Sequence, residues 1–483
     1  MRGMQQDIYI RSVPDVPQTE ADNNAIREFW KAISGYRASE NGGDRLKVHL
    51  VLRNQAMVNA LRRLPLEEVL ARNVELYAYT VEDLWSMEVL GVRLGQPSLL
   101  EREPIAADSD SVIHLVIFGA SAQAESLALH TALVSHYPNY CRDHRLRTRI
   151  TWVSDKMEDF SRFRQQYSRL LENSFVRDVY LADEDVRTGT RVPKYINERE
   201  DFVDVEWEFV QGRSYDGALR YKLAKWDQDG NRQLTVALCY DDDARNENES
   251  LGLPLGRGSQ SVVLVCTADD AALGLLKHSG EFANMITIGC RDFIFPDLGE
   301  FIRMGQYVNY AYCKMRQTTV LEQENGAAEM AVAIEVADKD QVIRAWNKSM
   351  LSTSKIWSNI YNAFTVNGKL RSLGIPLESL DRLFALTDRA VEMMAEVEHN
   401  RWSVEELILG YEPTSDKEHE DILSDFSRKN HYKGVFKHDD LRSYSSLGID
   451  DTGLPVTRYD VGLVRSLPLI AHAAYIQNKR QDG

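Results

Sequence analysis

The sequence predicts an α/β protein in which a doubly wound parallel sheet, preceded by a smaller α/β unit, gives way to a helical C-terminal region. Three observations carry this expectation. Short apolar runs alternate with helix-compatible segments over residues 46–90 and 111–297, one strand runs through a glycine straight into a helix at Gly119, and the periodicity turns helical beyond about residue 297.

In chain order, residues 16–45 are polar and end in ENGGDR, a loop signal. Residues 47–53 read as a buried strand, 56–64 as a helix, 74–80 as a second strand and 81–90 as a second helix, half of a nucleotide-binding fold with no glycine loop of its own. Residues 96–110, QPSLLEREPIAADSD, read as a linker. The strand 111–118 passes through Gly119 into a helix over 125–135, and a loop, 136–147, leads to a strand at 149–153 ending at Ser154 and Asp155. Further strands are expected at 204–210, 234–240, 261–266 and 285–289, with 211–232 interrupting as an amphipathic helix and a DQDGN turn. Pro296 and residues 324–329 mark breaks, helices are expected at 341–348 and 388–410, 412–458 is a polar segment, and 459–477 forms the last helix. The expected division is a partial α/β unit at 1–95, a linker at 96–110, a nucleotide-binding α/β domain at 111–297, a helical connecting region at 298–384 and a small helical domain at 385–483.

Composition narrows the function classes. With 483 residues, 43% hydrophobic and 27% charged, the chain matches a soluble globular protein of about three domains. A formal charge of −16 repels phosphate backbones, so direct nucleic-acid binding is not expected. The five cysteines, Cys141, Cys239, Cys266, Cys290 and Cys313, are odd in number and never form a C-x-x-C pair, which argues for reduced thiols and a cytoplasmic location. No run of 18 apolar residues occurs and the N-terminus lacks an apolar signal core, so no membrane insertion is expected.

Four places in the chain could carry chemistry. A dinucleotide loop places glycines at the first, second and third positions of G-x-G-x-x-G so that backbone can turn, approach pyrophosphate and pack on the strand. Here the six residues are Gly119, Ala120, Ser121, Ala122, Gln123 and Ala124, so only the first glycine is present. Ser121 puts a side chain where phosphate would approach, although its hydroxyl could donate to one. This is the first turn of a Rossmann-like domain, either holding a nucleotide or purely structural. Asp155 stands where such folds grip the ribose hydroxyls, or else caps the turn over 156–159. Asp241, Asp242 and Asp243 would gather at the carboxyl edge of the sheet, as a metal site or as a solvated loop. Neither G-x-S-x-G nor H-E-x-x-H is present, so nothing points to a hydrolase. On the helix within 395–411, Glu398, Trp402 and Glu405 share a face, His399 lies on an adjoining one, and Gly410 ends the helix. That grouping suits either a planar ligand stacked on Trp402 or a half-buried internal Trp.

Residues 385–475 resemble the RyR domain, a small helical module named for its repeats in ryanodine receptors and also present in bacterial proteins. The resemblance rests on Glu398, His399, Trp402, Gly410, Tyr411, His438, Asp440, Leu441, Tyr444, Tyr459 and Asp460. Asp439 stands where the family usually has proline, and the insertion at 413–432 is longer and more charged than usual. Residues 46–90 look like the second half of a TrkA-type nucleotide-binding unit, and 111–297 like a further Rossmann unit, an arrangement that often precedes this module in bacteria. The resemblance implies a non-enzymatic regulatory or sensor protein for a nucleotide-related small ligand, in the manner of bacterial defence or stress signalling. Its pocket would draw on Glu398, His399, Trp402, His438, Tyr444 and Asp460, with Gly119, Ser121 and Asp155 as a cofactor site for a nucleotide or NAD-like ligand. The alternatives are an NAD(P)-dependent oxidoreductase, set back by Ser121 and by the lack of a Tyr-x-x-x-Lys or comparable proton-transfer pair in a suitable place, and a scaffold with vestigial pockets. A homodimer is expected because a partial α/β unit exposes sheet edges that need covering.

Overall fold

The computed structural model describes residues 7–13, 16–34, 36, 45–63, 73–91, 97–181, 203–256, 258–268, 271–277, 280, 282–289, 298–318 and 339–472. Cys290, Pro296 and the break at 324–329 lie outside them.

Three parallel strands in the order β1-β2-β3 form the first unit: β1 (Ile8–Arg11), β2 (Leu46–Leu52) and β3 (Val74–Thr80). Their crossovers are α1 (Gln18–Ile33) and α2 (Gln55–Arg63). Helix α1 lies within the segment 16–45, for which no helix was expected. It is polar on average, but Ala25, Phe29 and Ile33 recur every fourth residue and pack with Val48, Leu50 and Leu76. Helix α3 (Val81–Leu90) has the bounds expected of it, because Thr80 and Asp83 form a capping box and Gly91 turns left-handed at its end.

Seven strands make the second sheet. They are β4 (Val112–Phe118), β5 (Thr148–Ser154), β6 (Phe175–Tyr180), β7 (Val205–Gln211), β8 (Arg232–Leu238), β9 (Val262–Val265) and β10 (Met285–Thr287), in the order β10-β9-β8-β4-β5-β7-β6, all parallel. Helices α4 (Ala122–Val134), α5 (Ser161–Gln166) and α6 (Ser168–Glu172) serve the first half of the winding. Helix α7 (Gly217–Asp227), within the segment expected to interrupt the sheet, instead carries the chain from β7 across to β8 beside β4, and α8 (Asp243–Leu251) and α9 (Ala271–Lys277) follow. The two faces have separate cores: Leu127, Phe163 and Leu170 lie in one, Leu219, Leu223 and Leu273 in the other. The sequence reading passed over β6, an edge strand with Arg177 and Asp178 at its centre.

The remainder is mostly helical: α10 (Gly299–Thr318), α11 (Lys339–Ser349), α12 (Thr353–Phe364), α13 (Val366–Ser372) and α14 (Asp388–Ile408). The polar segment 412–458 contains α15 (Asp416–Ser424), α16 (Arg428–Gly434) and a short parallel pair, β11 (Glu412–Pro413) with β12 (Lys437–His438). Helix α17 (Arg458–Arg465) follows, and 467–472 are again helical. Among the described residues no helix is long and apolar enough to cross a membrane.

These parts share one core. Val51 and Tyr77 of the first unit, Leu127 and Trp152 of the second, Trp357 of α12 and Leu407 of α14 belong to a single buried cluster. The segment expected as a linker is a strap: Leu100 and Ile105 are buried, Glu101 pairs with Arg371 of α13 at 2.7 Å, and Arg102 donates to the Leu234 carbonyl at 3.1 Å.

Gly119 sits where the strap of chain leaving β4 crosses the end of β8. Its φ is +98°, and a Cβ there would lie 2.5 Å from the Cys239 carbonyl oxygen. Gly119→Ala is therefore expected to cost about 1–3 kcal/mol for the backbone conformation alone, with the clash adding to it. Gly217→Ala, where a Cβ meets nothing within 4 Å, is expected to gain about 0.4–1 kcal/mol. Urea unfolding of the two variants checks both signs, and a neutral Gly119→Ala would refute the packing account.

Candidate functional site

The winding of the large sheet reverses between β4 and β8, and open α/β sheets bind ligands at the carboxyl ends of strands beside such a reversal. The residues there are engaged with one another. Ser121 is buried and caps α4, its Oγ accepting the Ala124 N–H at 3.1 Å. Asp155 does not cap the turn Met157–Phe160, before which Lys156 sits without a side-chain cap. Its carboxylate lies 3.1 Å from Arg245 and 3.6 Å from Arg213, so two guanidinium groups occupy the position expected to face a ribose. Arg245 also holds Glu249 at 2.6 Å and lies over the Tyr240 ring. The three aspartates diverge: Asp242 caps α8, and Asp243 accepts from the Ala268 N–H at 3.1 Å. Among the described residues no group of three or more His, Cys, Asp or Glu is placed to hold a metal ion.

Helix α14 ends as its glycine demands. Gly410 has φ +90°, its N–H donates to the Leu407 carbonyl at 3.0 Å, and the Tyr411 N–H donates to the Glu406 carbonyl at 3.1 Å. Five of the six expected pocket residues gather on one side of this helix. The His399 ring lies 5.7 Å from Trp402 and 5.9 Å from Tyr444, and Trp402 lies edge-on to His438 at 4.9 Å. His399 Nε2 donates to the Arg442 carbonyl at 2.8 Å, and its Nδ1 is 3.6 Å from Asp460. Burial pushes the His399 pKa down, but Asp460 and the Arg442 carbonyl outweigh it and the net shift is upward. His438 is pushed down to about 3 by burial and by Lys433, so it is neutral and accepts the Asp440 N–H at 3.2 Å. Trp402 is half-buried, and the Tyr444 hydroxyl donates to Glu392 at 2.9 Å.

Glu398 is the exception. Instead of sharing a face with Trp402, it lies fully buried between Lys369 of α13, at 2.5 Å, and Arg401, at 2.9 Å, and Arg401 continues to Glu405 at 2.8 Å. Burial drives the Glu398 carboxyl up, yet Arg401 and Lys369 together hold it at about 2.

Comparison of the chain with protein-family models, curated proteins and solved structures returns no match. The geometry therefore stands on its own, and it contains a second polar cluster that sequence reasoning did not find. Arg62 of α2 donates to Asp83 of α3 at 2.9 Å, to the Ala78 carbonyl at 2.9 Å and to the Tyr361 hydroxyl of α12 at 3.1 Å, with its guanidinium 4.1 Å above Trp357. Arg63, the next residue, reaches the Leu409 carbonyl at the end of α14 at 3.0 Å, where a cation suits the helix C-terminus. Arg62, Asp83, His130, Tyr361 and Glu405 rim a cavity of about 20 Å³, room for about one water, where both α/β units and the helical region meet. The available sign was the Arg-Arg pair closing α2; its partners in the helical region, Tyr361 and Leu409, lie hundreds of residues away and leave no local pattern.

Removing one member of the Glu398 network strands buried charge, so Glu398→Gln is expected to cost about 3–5 kcal/mol, while a double change of Lys369 and Glu398 to Met loses far less. Denaturant unfolding of both variants tests the ordering. The carboxyl falls from its ordinary 4.5 to about 2 in the folded state, so its stabilisation is complete above pH 4.5 and fades as pH drops towards 2. The stability gap between wild type and Glu398→Gln is expected to narrow over that window; a pH-independent gap would contradict the pairing.

Proposed function

We propose that this chain is a non-enzymatic regulatory protein in which an RyR-type helical module senses a nucleotide-related small ligand and Rossmann-like units respond to it. The observation that carries the reading is the grouping of His399, Trp402, His438, Tyr444 and Asp460 from three separate segments around one half-buried indole. Trp402 supplies a stacking face, and the Tyr444 hydroxyl and Asp460 supply edges that hydrogen-bond a planar ligand.

The two departures from the family pattern also compensate each other. Asp439 accepts from the Thr414 hydroxyl at 2.8 Å and pairs with His419 at 2.9 Å, and both partners come from the 413–432 insertion. The insertion thus stabilises the aspartate that replaces the usual proline, and the segment carrying His438 and Tyr444 keeps its place beside α14. A route from ligand to response is at hand, because Glu405 and Leu409, at the joint with the α/β units, lie on the same helix turn or two beyond Trp402. Ser121 in place of a phosphate-loop glycine and Asp155 in two ion pairs weigh against the oxidoreductase alternative.

Stacking of a base is worth about 1–3 kcal/mol, so Trp402→Ala is expected to weaken binding of NAD or ADP-ribose, whichever the wild type takes up in calorimetry, by about 5-fold to 150-fold. A lowered melting temperature with unchanged affinity would sink the pocket. The functional form is expected to be a symmetric dimer, and light scattering at micromolar concentration should report twice the chain mass of 55.2 kDa. A monomeric mass would remove this part of the reading.

A further inference from the structure

The three-stranded sheet has two unlike faces. One, with Val48, Leu50 and Leu76, is apolar and covered by α1 and α2. The other carries a row of rings in register across the strands, Tyr9, His49 and Tyr77, with His49 stacked 4.3 Å from Tyr9 and 4.8 Å from Tyr77, each at 13° between planes. Opposite this row stand the first turns of α10 and the start of α11. Between them is a cavity of about 290 Å³, close to the lower end of small-molecule sites at about 300 Å³ and much larger than the cavity at the joint.

Its lining is cationic and aromatic. Among the described lining residues are three cations, Lys47, Arg303 and Lys339, and one carboxylate, Asp7. Gly299, at the N-terminus of the 20-residue helix α10, also borders it, so the positive end of a helix dipole adds to the field. His49 supplies a separate observation. It is 3% exposed, its Nδ1 pairs with the Tyr79 hydroxyl at 3.2 Å, and its Nε2 has no hydrogen-bond partner among the described residues, with the Asp7 carboxylate 3.7 Å away. Burial pushes the His49 pKa down to about 4 against the opposing pull of Asp7, so the ring is neutral and Nε2 is a buried polar atom at the cavity wall. A buried polar atom left without a hydrogen bond costs about 1–3 kcal/mol, which a hydroxyl bound in the cavity would recover.

We propose that this cavity binds a mononucleotide, its base stacked on the open face of Tyr9, a ribose hydroxyl reaching His49 Nε2, and its phosphate between Lys47, Arg303, Lys339 and the N-terminus of α10. The rings select a planar group, the cations and helix end select a dianion, and a volume of about 290 Å³ suits about one nucleotide rather than a peptide or a strand of nucleic acid. The site is separate from the cluster around Trp402 and does not depend on what that cluster binds.

Calorimetry with AMP as the probe tests it, since base stacking is tolerant of base identity. The wild type is expected to bind AMP, and to bind inorganic phosphate or adenosine at least about tenfold more weakly, because each supplies half of the contacts. Tyr9 is 54% exposed and Lys339 is also exposed, so Tyr9→Ala and Lys339→Glu leave the core intact; thermal melts confirm this. Tyr9→Ala is expected to weaken AMP binding about 5-fold to 150-fold, and Lys339→Glu to weaken it and reduce its dependence on salt. Three results would overturn the proposal: no heat with AMP at about 1 mM, phosphate binding as tightly as AMP, or AMP binding that survives both variants. AMP binding that disappears in Trp402→Ala but persists in Tyr9→Ala would also reject it, by placing the nucleotide at the α14 cluster.

Discussion

Charge buried in a protein interior has to be paired, and the arrangement of this molecule follows from how α14 meets that requirement. Glu398, His399, Asn400, Arg401 and Glu405 are all buried on a single helix. Arg401 is held between Glu398 and Glu405, and Glu398 is shared with Lys369, so α13 cannot move away from α14 without exposing an uncompensated charge to a low-dielectric interior. On the opposite side His399 anchors both the Arg442 carbonyl and Asp460, which fixes the segment before α17 and α17 itself. One helix thereby sets the positions of its neighbours by polar satisfaction, with apolar packing filling the space between.

The same logic ties the α/β units to the helical region. Arg62 and Arg63 are adjacent in sequence yet reach different partners, one the Asp83 and Tyr361 pair, the other the last carbonyls of α14. Hydrophobic contact would tolerate sliding at such an interface, whereas a guanidinium with three directed bonds specifies one docking geometry. The shared core then has a unique register, which explains why segments that read as separate domains enclose one buried cluster.

At the reversal point of the large sheet, polar groups are likewise engaged with one another. The glycine turn, the capping serine and the acidic residue after the second strand are all present, but Gly119 accommodates the Cys239 carbonyl and Asp155 is paired with Arg213 and Arg245. Positive and aromatic groups instead line the open cavity beside the first sheet, where strand alternation puts Lys47 and His49 on the face away from α1 and α2.

Local chemistry was legible along the chain. Apolar runs marked eight of the parallel strands, the helix at 81–90 could be read in place, and Gly410 stopped α14, because each of these depends on residues within a turn or two of one another. Helix α1 and strand β6 were hidden where average polarity or central charges masked a sparse apolar pattern. Faces were harder still. Four residues along a helix advance about 40° past a full turn, so Glu398 and Trp402 could share a side, and only the positions of Lys369 and Arg401 divided them. The core shared between the parts, the Arg62 joint and the cavity opposite His49 could not be read in the chain at all. Their members are brought together by packing across tens to hundreds of residues, and no spacing along a sequence encodes which distant charge will lie within 3 Å of another.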